Sequence, residues 1–230
     1  QRAIAGRAAI SADPDTNVYR LIFSESDGLP GLIVDRYDDW LAVQLLTQGA
    51  VAFQEEIIAA LRAIPGVRGI YERSDVEVRA REGLKPAEGV LWGEPPPPII
   101  KICENGYRFT LDLAGGQKTG WYVDQRANRM RVAAYAAGAD VLGVFTYTGG
   151  FEIAAAGGGA KSVTAIDSSG VGLRMLASHF QHNELTTSLE LIEGDAFNQL
   201  RELRTTGRSF DLIILDPPKF AHSQRQVDKA

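Results

Sequence analysis

The second half of the chain alternates short apolar runs with amphipathic stretches. Apolar runs of strand length lie at 141–145, 162–166, 189–192 and 210–215, and helical patterns lie at 125–136, 151–156, 172–183 and 197–204. Strands that alternate with helices in this way are typical of right-handed βαβ units. The pattern therefore predicts an α/β fold built on a parallel sheet.

The first half of the chain has a different rhythm. Strand-like runs lie at 19–23, 32–35, 40–46 and 67–71, a helical pattern lies at 54–64, and a charged stretch at 74–86 indicates a loop. This mixture predicts a small α+β domain over residues 16–94, preceded by a linker or helix at 1–15.

Four consecutive prolines, Pro95–Pro98, separate the two patterns. Such a run favours extended polyproline II and acts as a semi-rigid spacer. We therefore predict a linker at 95–98 and a second domain over 99–230. That domain begins with a hairpin, 99–103 and 107–111, around Asn105-Gly106, a strong turn signal.

Composition and charge narrow the functional classes. The net charge of the 230 residues is −5, which argues against a protein that holds nucleic acid by bulk electrostatics. Residues 1–104 carry 11 basic and 16 acidic side chains, whereas residues 105–230 carry 13 of each, so a local basic face is compatible with the second part. No apolar stretch approaches the length of a membrane span, so we expect no membrane association.

Cysteine and histidine usage argues against a metal centre. Cys103 is the only cysteine, which excludes an intramolecular disulfide and a cysteine metal cage and favours a reducing, cytoplasmic setting. His179 and His182 share one predicted helix without nearby carboxylates, so we expect surface residues and no metal ligands.

Acidic residues follow three of the predicted parallel strands. They are Asp167, Asp195 and Asp216, and a glycine turn, 146–150, follows the first strand. The carboxyl ends of parallel strands meet at one edge, where α/β proteins bind ligands. A carboxylate after the second strand commonly binds ribose hydroxyls. A carboxylate after the third strand can reach an adenine amine, and a carboxylate after the fourth strand faces the reacting group. Each aspartate alone is equally compatible with a helix cap. The absence of G-x-G-x-x-G argues against a nicotinamide dinucleotide enzyme.

The segment Asp216-Pro217-Pro218-Lys219-Phe220 ends the fourth strand. Two prolines stop a strand because neither can donate a ladder hydrogen bond. The segment therefore predicts a rigid lip over a site, and the alternative is an ordinary strand followed by a proline-rich turn.

Together these residues resemble the class I S-adenosylmethionine-dependent methyltransferases, and more narrowly the ribosomal RNA large subunit methyltransferase I family. The matching segments are residues 16–21, 27–37, 117–126, 145–151 and 216–220. The resemblance implies an N-terminal PUA domain before this chain, the α+β middle domain, and a Rossmann-like methyltransferase sheet that is incomplete at its C-terminus.

The resemblance also implies a function, namely 5-methylcytosine formation in 23S ribosomal RNA with S-adenosyl-L-methionine as methyl donor. A homodimer is expected from the family alone. The implied base-holding residues are Asp216, Pro217, Pro218 and Lys219. The implied cofactor contacts are Lys118, Thr119, Arg126, Phe145, Tyr147, Gly149, Asp167, Ser168, Asp195, Ala196 and Asp216.

Three departures from the family's pattern bear on the chemistry. Gly143 stands where the family usually has Asp or Asn, which predicts a weaker grip on the methionine end of the cofactor. Lys219 stands where amino-group methyltransferases carry an aromatic residue, which argues against an exocyclic nitrogen target. Methylation at cytosine C5 needs a thiolate that adds at C6. We expect Cys103 to be a packed strand residue, so the nucleophilic cysteine is not in this chain. The alternatives are methylation of a guanine nitrogen and a non-catalytic RNA-binding or assembly protein.

Overall fold

The protein is described from a computed structural model that covers residues 1–116 and 120–218. The boundary between two compact units falls between Arg126 and Ala127. The domain boundary that we place in the proline run stays a prediction.

Helices and strands occupy much of both units. The strands are β1 (Val18–Phe23), β2 (Leu32–Tyr37), β3 (Trp40–Leu45), β4 (Gly69–Ser74), β5 (Ala87–Gly93), β6 (Ile100–Glu104), β7 (Tyr107–Leu111), β8 (Asp140–Val144), β9 (Ser162–Asp167), β10 (Ser188–Glu193) and β11 (Leu212–Leu215). The helices are α1 (Arg2–Ala5), α2 (Ala8–Ser11), α3 (Gln48–Ala52), α4 (Gln54–Leu61), α5 (Val78–Arg81), α6 (Arg126–Tyr135), α7 (Gly150–Gly157), α8 (Gly170–His182) and α9 (Ala196–Thr205), with 3₁₀ turns at Ser24–Asp27 and Val123–Gln125.

The first unit is built on a mixed sheet in the order β1-β2-β3-β4-β5. Neighbouring strands are antiparallel except for β3 and β4, which are parallel. Alternate apolar side chains from the strands, such as Leu21, Val34 and Val43, form a core against which apolar residues of α4 pack. The predicted α+β mixture is therefore present.

Several parts of the first unit differ from the sequence prediction, and one of them is helix α3, which no pattern indicated. The expectation of a loop over 74–86 is wrong at Val78–Arg81, which is a short helix whose Arg79 pairs with Glu72 at 2.8 Å. Strand β5 was not predicted, because Glu88, Gly89 and an exposed Val90 give it no clear alternation. Pairing with β4 stabilises this strand, and such pairing outweighs weak local preference.

The predicted hairpin is confirmed as β6 and β7, with Asn105 and Gly106 in the left-handed region at the turn. Two of its contacts lie within the first unit. The backbone N–H of Cys103 donates to the Asn17 side chain at 2.7 Å, and the indole of Trp121 donates to Glu104 at 3.1 Å.

The second unit contains a parallel four-stranded sheet in the order β10-β9-β8-β11. The predicted parallel sheet is therefore confirmed. The chain moves outward from β8 to β9 and β10 and then returns to the other side of β8 with β11. This reversal is the topological switch point where open α/β sheets bind ligands, at the carboxyl ends of the strands. No helix in the described part of the chain is long and apolar enough to cross a membrane.

Candidate active site

The turn between β8 and α7, residues 145–149, forms the centre of the site. Phe145, Tyr147 and Gly149 all have positive φ values, 64°, 50° and 84°. A non-glycine residue held in this region costs about 1–3 kcal/mol and persists only where surrounding contacts impose it. The glycine was visible in the sequence as a turn signal, whereas the two strained aromatic residues were not.

Asp167, at the end of β9, imposes part of this conformation. One of its carboxylate oxygens accepts the backbone N–H of Tyr147 at 2.7 Å, and the other accepts the backbone N–H of Ser169 at 2.8 Å. A single carboxylate therefore joins the strained turn to the loop that enters α8.

Helix α8 holds the same turn from a second side. A Cβ at Gly149 would overlap the side chain of Leu176, and a Cβ at Gly172 would lie 2.6 Å from the carbonyl oxygen of Tyr147. His179 is 0% exposed, and its Nδ1 lies 2.9 Å from the carbonyl oxygen of Thr148. The prediction of a surface position is therefore wrong for His179, although it holds for His182.

The three helices that follow the strands begin differently. Ser169 caps α8 by accepting the N–H of Gly172 at 3.1 Å, and Asp195 caps α9 by accepting the N–H of Asn198 at 2.9 Å. Helix α7 has Gly149 at its N-cap position and therefore no side-chain cap. The first-turn amides of a helix offer hydrogen-bond donors and a partial positive charge to an anionic group. Asp195 thus acts as a helix cap, which was one of its two possible roles. Its contact with adenine stays a prediction.

The register of the sheet brings the predicted strand-end residues to one edge. Leu215 pairs with Val144, Val144 pairs with Ile166, and Glu193 pairs with Asp167. The residues that follow these positions therefore share that edge; they are Phe145, Tyr147, Gly149, Ser168, Asp195, Ala196 and Asp216. Ser168 and Asp216 are exposed, as are Pro217 and Pro218, and Ala196 is buried at the start of α9. Lys219 lies outside the described residues.

Three of the predicted cofactor contacts, Lys118, Thr119 and Arg126, precede the parallel sheet in the chain. Arg126 pairs with Asp13 at 3.4 Å, and its buried Nε has no hydrogen-bond partner among the described residues. Lys118 and Thr119 lie outside the described residues. The structure therefore leaves the cofactor roles of these three residues as predictions.

The loop that leads to residues 117–119 is held by an arginine that the sequence did not single out. The guanidinium of Arg73, on β4, donates to the carbonyl oxygens of Leu113 and Gly116, the latter at 3.0 Å. The carboxylate of Asp112 also accepts the N–H of Gly115 at 2.8 Å. Arg73 lies some 40 residues away along the chain, so no local signal could have revealed this contact.

Glu152 is the second residue that sequence reasoning missed. It lies in the first turn of α7, is 1% exposed, and its Oε2 has no hydrogen-bond partner among the described residues. Its other oxygen lies so close to Gly143 that a Cβ there would overlap it. Burial raises the pKa of Glu152 to about 8, with Asp167 contributing in the same direction and Arg129 opposing it. The signal was a lone carboxylate in an otherwise apolar, alanine-rich helix.

These features fit S-adenosylmethionine. Asp167 and Asp195 can accept hydrogen bonds from hydroxyl and amine groups, the uncapped start of α7 can receive a carboxylate, and the orphaned oxygen of Glu152 shows an unmatched polar group beside the turn. When bound, this cofactor supplies an electrophilic methyl group. Among the described residues, no group of three or more His, Cys, Asp or Glu side chains could hold a metal ion.

Curated proteins with similar sequences support the resemblance. Ribosomal RNA large subunit methyltransferase I from Aliivibrio fischeri is 46% identical over 213 residues, which cover 92% of this chain and 54% of that protein. The protein of the same name from Aeromonas salmonicida is 48% identical over 210 residues, which cover 91% of this chain and 53% of that protein. The chain thus spans about half the length of the curated relatives it matches.

Solved structures and a family model agree with these relatives. A methyltransferase crystallised with SAH has a TM-score of 0.85 and 30% identity, covering 97% of this chain and 57% of that one. An S-adenosylmethionine-dependent methyltransferase from Streptococcus mutans has a TM-score of 0.84 and 28% identity, covering 98% of this chain and 60% of that one. The family model described as S-adenosylmethionine-dependent methyltransferase matches residues 38–228. The chain therefore belongs to the S-adenosylmethionine-dependent methyltransferase family.

Proposed function

We propose that the protein binds S-adenosyl-L-methionine at the carboxyl edge of the parallel sheet and transfers its methyl group to a base of 23S ribosomal RNA, at cytosine C5. The observation that carries the donor site is the strained 145–149 turn, clamped by Asp167 beside the uncapped start of α7. The substrate class rests on the names of the curated relatives, which are ribosomal RNA large subunit methyltransferases.

The donor contacts are assigned by position along that edge. Asp167 keeps oxygen lone pairs for ribose hydroxyls after accepting two backbone N–H groups, and Asp195 with Ala196 faces the adenine. Phe145, Tyr147 and Gly149 line the methionine portion. The proposal keeps Ser168, Lys118, Thr119 and Arg126 as further contacts.

The target base lies against Asp216, Pro217, Pro218 and Lys219. Bases that undergo chemistry are taken out of the stack or read in single-stranded loops, and the rigid proline pair suits that task. Cys103 does not suit attack at C6, because burial raises the pKa of its thiol, and its Sγ donates to the carbonyl of Asp15 at 3.2 Å. The proposal therefore assigns the attacking thiol to a residue outside these 230.

The donor site is tested by isothermal titration with SAH. We expect Asp167→Asn to weaken SAH binding about tenfold to a hundredfold, because a hydrogen bond to a charged group contributes about 1.5–3 kcal/mol. Asp211→Asn is the matched control, since Asp211 accepts the N–H of Asp140 at the opposite edge of the sheet. Equal affinities for wild type and Asp167→Asn would contradict the assignment.

The reaction is tested with full-length protein, labelled S-adenosylmethionine and 23S ribosomal RNA, followed by mass spectrometry of the nucleosides. We expect 5-methylcytidine. Detection of a methylated guanosine would change the assignment of the target atom to guanine and would leave the fold assignment unchanged. RNA binding without methyl transfer would support the non-catalytic alternative.

Two further parts of the proposal concern the assembly and its place in the cell. A cytoplasmic location follows from a ribosomal RNA substrate, and a homodimer is carried over from the family resemblance. Sedimentation of the full-length protein measures its oligomeric state directly. A single monomeric species at high concentration would contradict the homodimer.

A further inference from the structure

Two polar groups without hydrogen-bond partners in the described part of the chain, on Thr146 and Glu152, lie in and beside the 145–149 turn that we assign to the methyl donor. Among the described residues, Glu152 Oε2 and Thr146 Oγ1 are buried and have no hydrogen-bond partner. Both side chains border Gly143, where a Cβ would overlap the carboxyl of Glu152 and lie 3.1 Å from the methyl of Thr146. The glycine in the strand therefore provides the space that the carboxyl group occupies.

The surroundings of Glu152 leave its charge largely uncompensated. Asp167, at the end of β9, is a second acid whose charge opposes ionisation of Glu152. Arg129, on α6, favours ionisation, but its guanidinium also lies 5.8 Å from the centre of the Phe151 ring. From α8, His179 faces the carbonyl of Thr148. A buried carboxyl group in such a setting is most stable with its proton bound.

We propose that Glu152 is a positioning residue of the methyl-donor site, which keeps its proton while the 145–149 turn is free and releases it to solvent when the positively charged methionine portion of the donor binds there. The proposal rests on the proposed function for the place of the donor. In this proposal Glu152, on helix α7, supplies the negative charge that strand β8 lacks at Gly143.

A positive charge near a buried carboxyl favours the ionised form and lowers its pKa. Proton release and affinity are linked, so donor affinity rises with pH until the pH exceeds the pKa of the free protein, about 8. Each unit by which binding lowers this pKa corresponds to about a tenfold gain in affinity at high pH.

The test is isothermal titration of the protein with S-adenosyl-L-methionine, which carries the positive sulfonium charge that SAH lacks, in two buffers that differ in ionisation enthalpy, below the raised pKa of Glu152. The buffer dependence of the heat gives the number of protons released. We expect wild type to release more protons than Glu152→Gln, by a substantial fraction of one, and to bind more tightly as pH rises. The subtraction removes protons that come from the amino group of the donor or from other groups of the protein.

Glu202→Gln is the matched control, because Glu202 is an exposed helical glutamate of the same unit. We expect its proton release to equal that of wild type. If Glu152→Gln does not fold, infrared spectroscopy of the wild type replaces it. The carbonyl stretch of a protonated carboxylic acid should be present in the free protein and disappear on addition of S-adenosyl-L-methionine.

The outcomes separate the two proposals. No binding of S-adenosyl-L-methionine by the wild type would overturn the proposed function and this inference with it. Binding with equal proton release by wild type and Glu152→Gln, or an infrared band that S-adenosyl-L-methionine leaves unchanged, would overturn the inference alone and leave the donor site in place.

Discussion

At the scale of single residues, Asp167 combines a structural task with the proposed ligand task. Its two oxygens hold the N–H groups of Tyr147 and Ser169, so removal of the carboxylate loosens two segments at once. Substitution by alanine would therefore mix loss of a ligand contact with loss of the turn. Asparagine keeps the volume of the side chain and one acceptor oxygen, so it can lose only one of the two backbone contacts and is the less disruptive variant.

Glu152 should also give the folded protein a recognisable pH dependence. Its folded pKa of about 8 lies above the ordinary value of 4.5, so the folded state keeps a proton that the unfolded state releases. This contribution to stability is complete below about pH 4.5 and is lost as pH rises toward 8, by at most about 1.4 kcal/mol per pH unit.

Urea denaturation followed by circular dichroism, at several pH values across this window, measures that slope. We expect the free energy of unfolding of wild type to fall relative to that of Glu152→Gln as pH rises. Parallel pH profiles for the two proteins would show that Glu152 ionises normally in the folded state.

The residues that sequence reasoning found and missed differ in one physical respect. The positions of Asp167, Asp195 and Asp216 at the carboxyl edge could be predicted, because each lies at or just after the end of a strand. Arg73, Glu152 and His179 could not, since their roles depend on partners that are adjacent only after folding.

At the scale of the elements, the start of α9 shows how one carboxylate can serve two purposes. Asp195 caps α9, and the same carboxylate is proposed to face the adenine. Ser is also a favourable N-cap, so it can replace the capping oxygen without supplying a negative charge.

This difference permits a direct separation of capping from ligand binding. We expect Asp195→Ala to lower stability by about 1 kcal/mol and Asp195→Ser to lower it by much less. If the carboxylate contacts the donor, both variants should weaken SAH binding in titration calorimetry. Normal SAH affinity in Asp195→Ser would reduce Asp195 to a helix cap.

The elements of the second unit were predicted to within about two residues at each end because most strands there are short apolar runs flanked by glycine or acidic residues. In the first unit, α3, β5 and α5 were missed. The sequences of β5 and α5 lack a clear periodicity, and their stability comes from pairing with β4 and from the Arg79–Glu72 contact.

At the scale of the whole molecule, the direction and order of the strands determine where the residues of the candidate site lie. Because β8 lies between β9 and β11, the first and fourth strand ends of the unit become neighbours although about 70 residues separate them. The alternation of strands and helices predicted a parallel sheet. The order of strands within it was not readable from the periodicity, since periodicity reports which face is buried and not which strand lies beside which.

The overlap between Gly143 and Glu152 restricts the routes by which this protein can change in evolution. A larger residue at 143 meets the end of the Glu152 side chain, so that side chain must shift or be replaced by a smaller one. One route by which a lineage could exchange a polar group on the strand for one on the helix passes through an intermediate with a small residue at both positions. That intermediate carries neither group, and its cavity lowers its stability.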